Sequence, residues 1–375
     1  MSETNAGFIE NEENNVEKSL ESVLGNDHEI KDKIEKKETN KETKVNLENK
    51  PETVDPWSYK AKFPIWWIVL VMFVGPILLP IRLLGLIFLW IVSYITSRAG
   101  LACLPTSEKP LTGWRKTCQN VVFLTIRLVG GCLGVWVVKR GTQAKSEEAP
   151  LIVVAPHSTF IDWLAVGHTK ASPVAKSELS KTIFFGAIGR LIQTVWVDRD
   201  AEDSKKETAR MINKRSSEVG WPQTLVFPEG TNTNGKALVQ FRTGAFATSK
   251  PVQPIVFSFP NMVDTITWTW IQKFKPYHLL ILTLLTPITI INMEFLPVLG
   301  PSKQEEDNPK MFADRVRCIM SEHLKIPTVD VSFKDAVAAK KDFKLDLDSK
   351  EPDTDTAKYA STSSIDFVGN LTLGI

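Results

Sequence analysis

The segment from Phe63 to Thr96 constrains the chain more than any other, because it is apolar throughout and Arg82 is its only charged residue. Exposing such a stretch to water is costly, so it must lie in lipid or be covered by protein. One straight helix over it would run about 51 Å at 1.5 Å per residue, well beyond the roughly 30 Å hydrocarbon core of a bilayer. Pro76 and Pro80 sit near its middle, beside Gly75 and Arg82, and a proline inside a helix removes a donor and crowds the preceding turn. The pattern predicts two helical halves in a hairpin or re-entrant wedge, with one long tilted helix as the alternative. Trp66, Trp67 and Trp90 suit the interface. Lys60 and Lys62 before the run, and Arg98, Lys109, Arg115 and Lys116 after it, agree with both ends on the cytosolic side.

Charge divides the rest of the chain. Residues 1–55 hold fifteen acidic and eight basic side chains, and residues 346–375 hold six and two, so a total of +2 leaves +13 on residues 56–345. The first 55 residues are rich in Glu, Lys, Asn and Thr with almost no aromatics, and they are expected to be disordered, as is the tail from 339 to 375. No cleavable signal peptide is expected ahead of Phe63. A basic body calls for an anionic partner. Nucleic acid ranks last, since no zinc spacing, basic helix or RNP-like aromatic motif is present. Cys103, Cys118, Cys132 and Cys318 are scattered and read as reduced packing residues. In the acidic tail, Asp346 and Asp348 lack the central Gly and closing Glu of a calcium loop.

From Val121 the chain alternates in the α/β manner. A short helix to about Cys132 precedes a first strand at Gly134–Lys139. Further strands are expected at Leu151–Ala155, Pro173–Ala175, Thr194–Val197, Gln223–Phe227, Val252–Phe257 and Ile290–Leu296. Helices are expected at Glu202–Glu218, with Asp200 as its cap, and at Pro309–Leu324, where Phe312, Val316, Ile319, Met320 and Leu324 recur at helical spacing. Leu279–Leu285 is apolar but too short to span, and is expected to be a membrane-facing or buried helix.

The chemistry is expected where strands end. Ile152–Asp162 reads IVVAPHSTFID: a strand stops at Pro156, and His157 follows with Asp162 five residues on. On one helix those two residues would lie about 140° apart. They meet only if His157 stands in the loop before a helix and Asp162 in its first turns. The carboxylate then accepts from one ring nitrogen and leaves the other as a base. By itself this pattern is short and common, and a histidine at a helix start usually satisfies backbone groups. Phe227–Thr231, FPEGT, again directly follows a strand. There Gly230 permits a tight turn, while the exposed amides and the Thr231 hydroxyl suit phosphate, and Glu229 can orient a basic residue or an acceptor hydroxyl. Lys176, Arg190 and Arg242 are candidates for phosphate contact. His168 with Asp162 supports no metal site, because no further ligand spacing accompanies them.

In this order the motifs resemble those of the glycerolipid acyltransferases of the lysophosphatidate-acyltransferase superfamily. His157–Asp162 is similar to motif I, Trp196-Val-Asp-Arg199 to motif II, Phe227–Thr231 to motif III and Val252-Gln-Pro-Ile-Val256 to motif IV. EKPLTGW at Glu108–Trp114, WPQTLVFPEGT, DTITWTW at Asp264–Trp270 and MEFLPV at Met293–Val298 further resemble the lysophosphatidylcholine acyltransferase branch. The likeness covers roughly residues 55–335. It departs at Asn232, where a cysteine is common, at Phe241–Phe246, and in lacking C-terminal EF-hands.

The resemblance implies a mixed α/β sheet flanked by helices, the glycerolipid acyltransferase fold, behind an N-terminal membrane-embedded helical segment. Residues 56–140 would anchor it and lead into the first strand, and residues 141–338 would form the acyltransferase domain. It implies that His157 is the general base and Asp162 its orienting partner. Arg199, Glu229, Gly230 and Thr231 would contact the acceptor phosphate, with Lys176 and Arg242 beside them. No cofactor or metal is needed; acyl-CoA is the co-substrate, a lysophospholipid the acceptor and the bilayer the partner. The expected product is phosphatidylcholine from 1-acyl lysophosphatidylcholine, in the endoplasmic reticulum membrane or at a lipid-droplet surface. Other acceptors, lysophosphatidate among them, or acetyl transfer to the lyso form of platelet-activating factor, are the alternatives. A catalytically silent lipid-binding protein is the rival from another class.

Overall fold

The computed structural model describes residues 54–104, 109–198, 202–332, 334–339 and 341. The acidic arm before Val54, Asp200 and nearly all of the acidic tail lie outside the described residues.

The apolar segment is one continuous helix, α1 (Ile65–Leu101), with Pro76 and Pro80 inside it, so the expected hairpin does not form. The prolines weaken the helix locally, but the packing along one face holds both halves in line. Trp67 and Val71 pack with Val263, Leu282 and Leu285, and Gly75 lies so close to Leu285 that a Cβ would stand 2.7 Å from its side chain. Farther along, Gly85 meets Cys132, Ser93 donates a 2.6 Å hydrogen bond to Thr125, and Gly100 touches Leu191 and Cys118. The other faces stay apolar and exposed at Phe73, Ile77, Ile81, Leu84, Phe88 and Ile95. By length and composition α1 is able to cross a membrane.

The helix α2 (Gly113–Cys132) returns alongside α1 and leads into β1 (Val135–Arg140). The chain then runs through β2 (Leu151–Ala155), α3 (Leu164–Thr169), β3 (Ser172–Lys176), α4 (Ser177–Ser180), α5 (Ile183–Leu191), β4 (Val195–Val197), α6 (Glu202–Ser217) and β5 (Thr224–Val226). After a 3-10 turn at Thr243–Thr248 come β6 (Val252–Ser258), α7 (Pro276–Leu285), β7 (Thr289–Phe295), α8 (Lys303–Asp307) and α9 (Pro309–Leu324). The strands form one seven-stranded sheet in the order β1-β7-β6-β2-β5-β3-β4, parallel except for the β6–β7 pair. This is the mixed sheet flanked by helices that was expected.

β2 sits inside the sheet with all five residues buried, which is why its sequence is a continuous apolar run rather than an alternating one. Its side chains still divide by the period of a strand. Ile152 and Val154 pack into the layer that includes Leu89, Val129, Leu164 and Leu284, and Leu151, Val153 and Ala155 into the opposite layer with Ile212, Phe246, Phe312 and Val316. The predicted stripe of α9 is real: Phe312, Val316 and Met320 are fully buried there, with Ile319 and Leu324 at its margin. α5 and α8 were not expected from the sequence.

Arg82 explains how the lone charge of α1 is accommodated. Its guanidinium is buried and donates to the carbonyls of Leu284 (2.7 Å), Thr286 (2.6 Å), Pro287 (2.7 Å) and, at 3.3 Å, Thr283. Thr283 and Leu284 lie in the last turn of α7 and Thr286 and Pro287 just beyond it, where a helix leaves carbonyls short of internal partners and a positive charge is favoured.

Candidate active site

His157 stands in the loop that leaves β2, and Asp162 lies in the turn just before α3, not in its first turns as expected, and that turn brings the two side chains together. His157 Nδ1 and Asp162 Oδ2 are 2.7 Å apart. The same oxygen accepts the backbone N–H groups of Ser158 and Thr159, each at 2.9 Å, while Oδ1 accepts the Thr159 hydroxyl at 2.5 Å. One carboxylate thus folds its own loop and orients the ring. Because Nδ1 donates to it, Nε2 is left as the acceptor nitrogen. Nε2 is buried and has no hydrogen-bond partner among the described residues, and the neighbouring Ser158 hydroxyl is in the same condition. The ring lies on Phe227, centroids 4.5 Å apart.

Glu229 reaches this loop from the other side. Its Oε2 accepts the backbone N–H of His157 at 2.5 Å, and its Oε1 accepts that of Val239 at 3.3 Å. Burial pushes the carboxyl up to about 8, against the pull of those two N–H bonds and with the charge of Asp162 adding to the rise. The Thr231 hydroxyl accepts from the indole N–H of Trp270 at 2.7 Å, and Asn232 donates to the Thr159 carbonyl at 3.2 Å. The segment after Thr231 also returns to the histidine loop, since Thr233 N–H donates to the His157 carbonyl.

Gly230 has φ +64°, and a Cβ there would stand 2.3 Å from the Arg242 Nε. Arg242 therefore lies across the turn at a distance only glycine permits. Burial lowers its guanidinium from the ordinary range. Gly230, Arg242 and Lys176 line one cavity of about 320 Å³ together with Phe227, Val197 and Thr208. Arg199 lies outside the described residues, two positions beyond Val197. Arg190 points elsewhere, with its guanidinium near the Ser180 carbonyl. A second cavity of about 360 Å³ opens between α1, α2, α5 and the sheet; Trp90, Val129, Phe160, Phe185, Ile188 and Trp196 are among its lining, which is almost wholly apolar. Phe160 and Ile161 reach it from the histidine loop, and Ala175 lines both cavities.

Sequence reasoning did not single out Trp270, Thr159 or Ser158 as parts of the site. DTITWTW was the one signal available for the first. That segment runs beside the histidine loop, where Trp268 N–H donates to the Ser158 carbonyl at 2.9 Å, and Asp264 accepts the Tyr59 hydroxyl at 2.7 Å.

Neither cavity is lined by His157 or Asp162 themselves; Phe160 and Ile161 connect their loop to the apolar cavity and Phe227, which lies on the imidazole, to the one lined by Lys176 and Arg242. Residues 137–258, which carry both the histidine loop and the FPEGT turn, match the family described as Acyltransferase. The chain is 41% identical over 270 residues to "Lysophosphatidylcholine acyltransferase 2" of Mus musculus, covering 70% of this chain and 48% of the relative. It is 37% identical over 291 residues to "Lysophosphatidylcholine acyltransferase 2B" of Rattus norvegicus (76% and 56%), and 38% over 267 residues to "Lysophosphatidylcholine acyltransferase 1" of Danio rerio (70% and 51%). Residues 137–258 thus carry a domain of the family described as Acyltransferase, and over 70–76% of its length the chain is similar to proteins named lysophosphatidylcholine acyltransferases. It spans about half the length of the curated relatives it matches.

Proposed function

We propose that the chain transfers an acyl group from acyl-CoA to the free glycerol hydroxyl of a lysophospholipid, with lysophosphatidylcholine as the preferred acceptor. The observation that carries this reading is the 2.7 Å contact between His157 Nδ1 and Asp162, which leaves Nε2 free of any partner among the described residues. In the proposed reaction Nε2 takes the proton of the acceptor hydroxyl as its oxygen forms a bond to the thioester carbonyl carbon. The C–S bond then breaks, and the CoA sulfur leaves with the proton that His157 held. Asp162 holds the imidazole in the tautomer this needs and stabilises it while it is charged.

The two cavities support the substrate class. The apolar one, between α1 and the sheet, suits an acyl chain, and the one lined by Lys176 and Arg242 suits phosphate. α1 is read as lying in lipid with the catalytic body packed along it, at the endoplasmic reticulum membrane or a lipid-droplet surface. A lysolipid would then reach His157 from the bilayer. Lysophosphatidate or another lyso headgroup as acceptor, and acetyl-CoA as donor, are the other members of the same class.

A membrane-fraction assay with labelled acyl-CoA and a panel of lysolipids tests this reading. General base catalysis contributes roughly 10² to 10⁴ in rate, so His157→Ala should lose at least that factor with the acceptor that wild type prefers. Equal, negligible transfer by wild type and His157→Ala to every acceptor would make the chain a lipid-binding protein instead.

A further inference from the structure

A group of cations gathers where α2, β1 and the end of α3 meet, away from His157. α3 is laid backbone to backbone on α2, since a Cβ on Gly167 would stand 2.7 Å from the Arg127 nitrogen. This brings Arg127 beside His168 and Lys170, the residues that close α3. Lys139 of β1 donates its ammonium to the His168 carbonyl. Among the described residues, no carboxylate lies within ion-pairing distance of Arg127, Lys139, Lys170 or Lys116. The charges act on one another: burial lowers the Lys139 ammonium, and Arg127 and Lys170 lower it further, while Lys116 is lowered by burial and by Lys170. His168 sits among them with its Nδ1 buried and unpartnered, held down to about 4 by burial and by the charges of Lys139 and Arg127. A cluster of like charges raises the energy of the fold unless an anion offsets it.

The surface around it grades from apolar to cationic. Thr125 marks the side of α2 that faces α1 through its bond with Ser93. At about 100° per residue, the exposed arc then passes Leu128, Leu124 and Arg127 before reaching the side packed on α3. Leu124 and Leu128 are each about half exposed, and they continue the bare apolar face of α1 up to the cations. That gradient is the one an interfacial surface presents, with hydrocarbon on one side and phosphates at the rim.

We propose that Arg127, Lys139 and Lys170 bind the phosphate of an anionic phospholipid in the membrane that holds α1. The proposal rests on the reading of α1 as lying in lipid. A soluble anion would need the cations but not the apolar approach across Leu124 and Leu128.

The full chain, reconstituted in nanodiscs of phosphatidylcholine with or without phosphatidylserine, tests it through the imidazole NMR titration of His168. Phosphatidylserine should raise the His168 pKa by about one unit or more, because an anion among the cations favours imidazolium. Arg127→Gln/Lys139→Gln/Lys170→Gln should lose this difference. It should also lower the ratio of phosphatidylserine to phosphatidylcholine retained on the detergent-extracted protein by roughly tenfold or more. Absence of the shift in wild type overturns the proposal whether or not the variant folds. So does an equal shift when inorganic phosphate or free CoA is added to pure phosphatidylcholine discs, since the site would then take soluble anions. Protein that stays in the discs without a phosphatidylserine effect leaves the lipid placement of α1 standing and sinks this site alone; protein that leaves the discs sinks both.

Discussion

Glu229 is the residue for which contact with substrate and support of the base predict different kinetics. Its carboxyl spans the backbone N–H groups of His157 and Val239. Glu229→Ala leaves both donors buried without an acceptor, at a cost of about 1–3 kcal/mol each, so stability should fall by roughly 2–6 kcal/mol. The His157 amide is then free to turn, and a displacement of about 1 Å at a base costs on the order of 10²-fold in rate. Glu229→Gln keeps an acceptor for His157 N–H but turns its own N–H₂ toward Val239 N–H, so it should recover most of the lost kcat and part of the stability. Steady-state acyl transfer with acceptor and acyl-CoA varied independently separates the two readings. Support of the base lowers kcat by roughly 10²-fold in the alanine variant and leaves both KM values within about twofold. An acceptor KM raised tenfold or more at unchanged kcat would refute this reasoning and make Glu229 a substrate contact.

Three other outcomes are expected. Gly230→Ala forces a side chain into a left-handed conformation at a cost of about 1–2 kcal/mol and drives Arg242 off the turn. Thermal melts should show the small destabilisation, and kinetics should show a KM for the phosphate-bearing substrate raised about tenfold. Arg82→Met strips the donor from the carbonyls of Leu284, Thr286 and Pro287, while that of Thr283 keeps the Thr286 N–H, and should destabilise the fold by about 3 kcal/mol or more, with faster amide exchange over Leu279–Thr289 than elsewhere. The Glu229 carboxyl sits at about 8 in the folded chain against an ordinary 4.5, so between those values the folded state holds this proton more tightly than the unfolded chain does. Its contribution to stability is therefore full below about pH 4.5 and declines as pH rises toward 8, by at most about 1.4 kcal/mol per unit. Glu229→Gln has no proton to lose there, so melts of wild type and variant across that window should converge or diverge with pH; parallel curves would contradict the raised carboxyl.

What the sequence made legible was local or periodic. LIVVA named a buried strand to the residue, and the stripe of α9 named its core face, because side-chain burial leaves a pattern with a fixed period. That His157 and Asp162 share no helix followed from helix geometry alone, although Asp162 stands in the turn before α3 rather than in its first turns. The continuity of α1 did not. A proline's penalty is visible in the sequence, whereas the stripe that outweighs it depends on Leu285, Cys132 and Leu191, far along the chain. Arg82 was conspicuous as a charge, but its partners are carbonyls more than 200 residues away, and a backbone carbonyl has no letter of its own.

The same blindness to backbone partners hides how the base is held. Asp162 binds the histidine loop from within, through the imidazole and the amides of Ser158 and Thr159, and Glu229 binds it from the loop after the neighbouring strand, through the amide of His157. The two carboxylates divide the work, since only Asp162 touches the imidazole and Glu229 reaches only the backbone that carries it. This is why a histidine and an aspartate five apart say little by themselves and gain meaning beside FPEGT. β2 and β5 are parallel neighbours, so the loops that leave them emerge at the same edge of the sheet. That adjacency lets a carboxyl group 72 residues downstream fix the His157 amide. The order of the motifs along the chain therefore reflects the order of the strands, and it is the sheet that turns separate short patterns into one site.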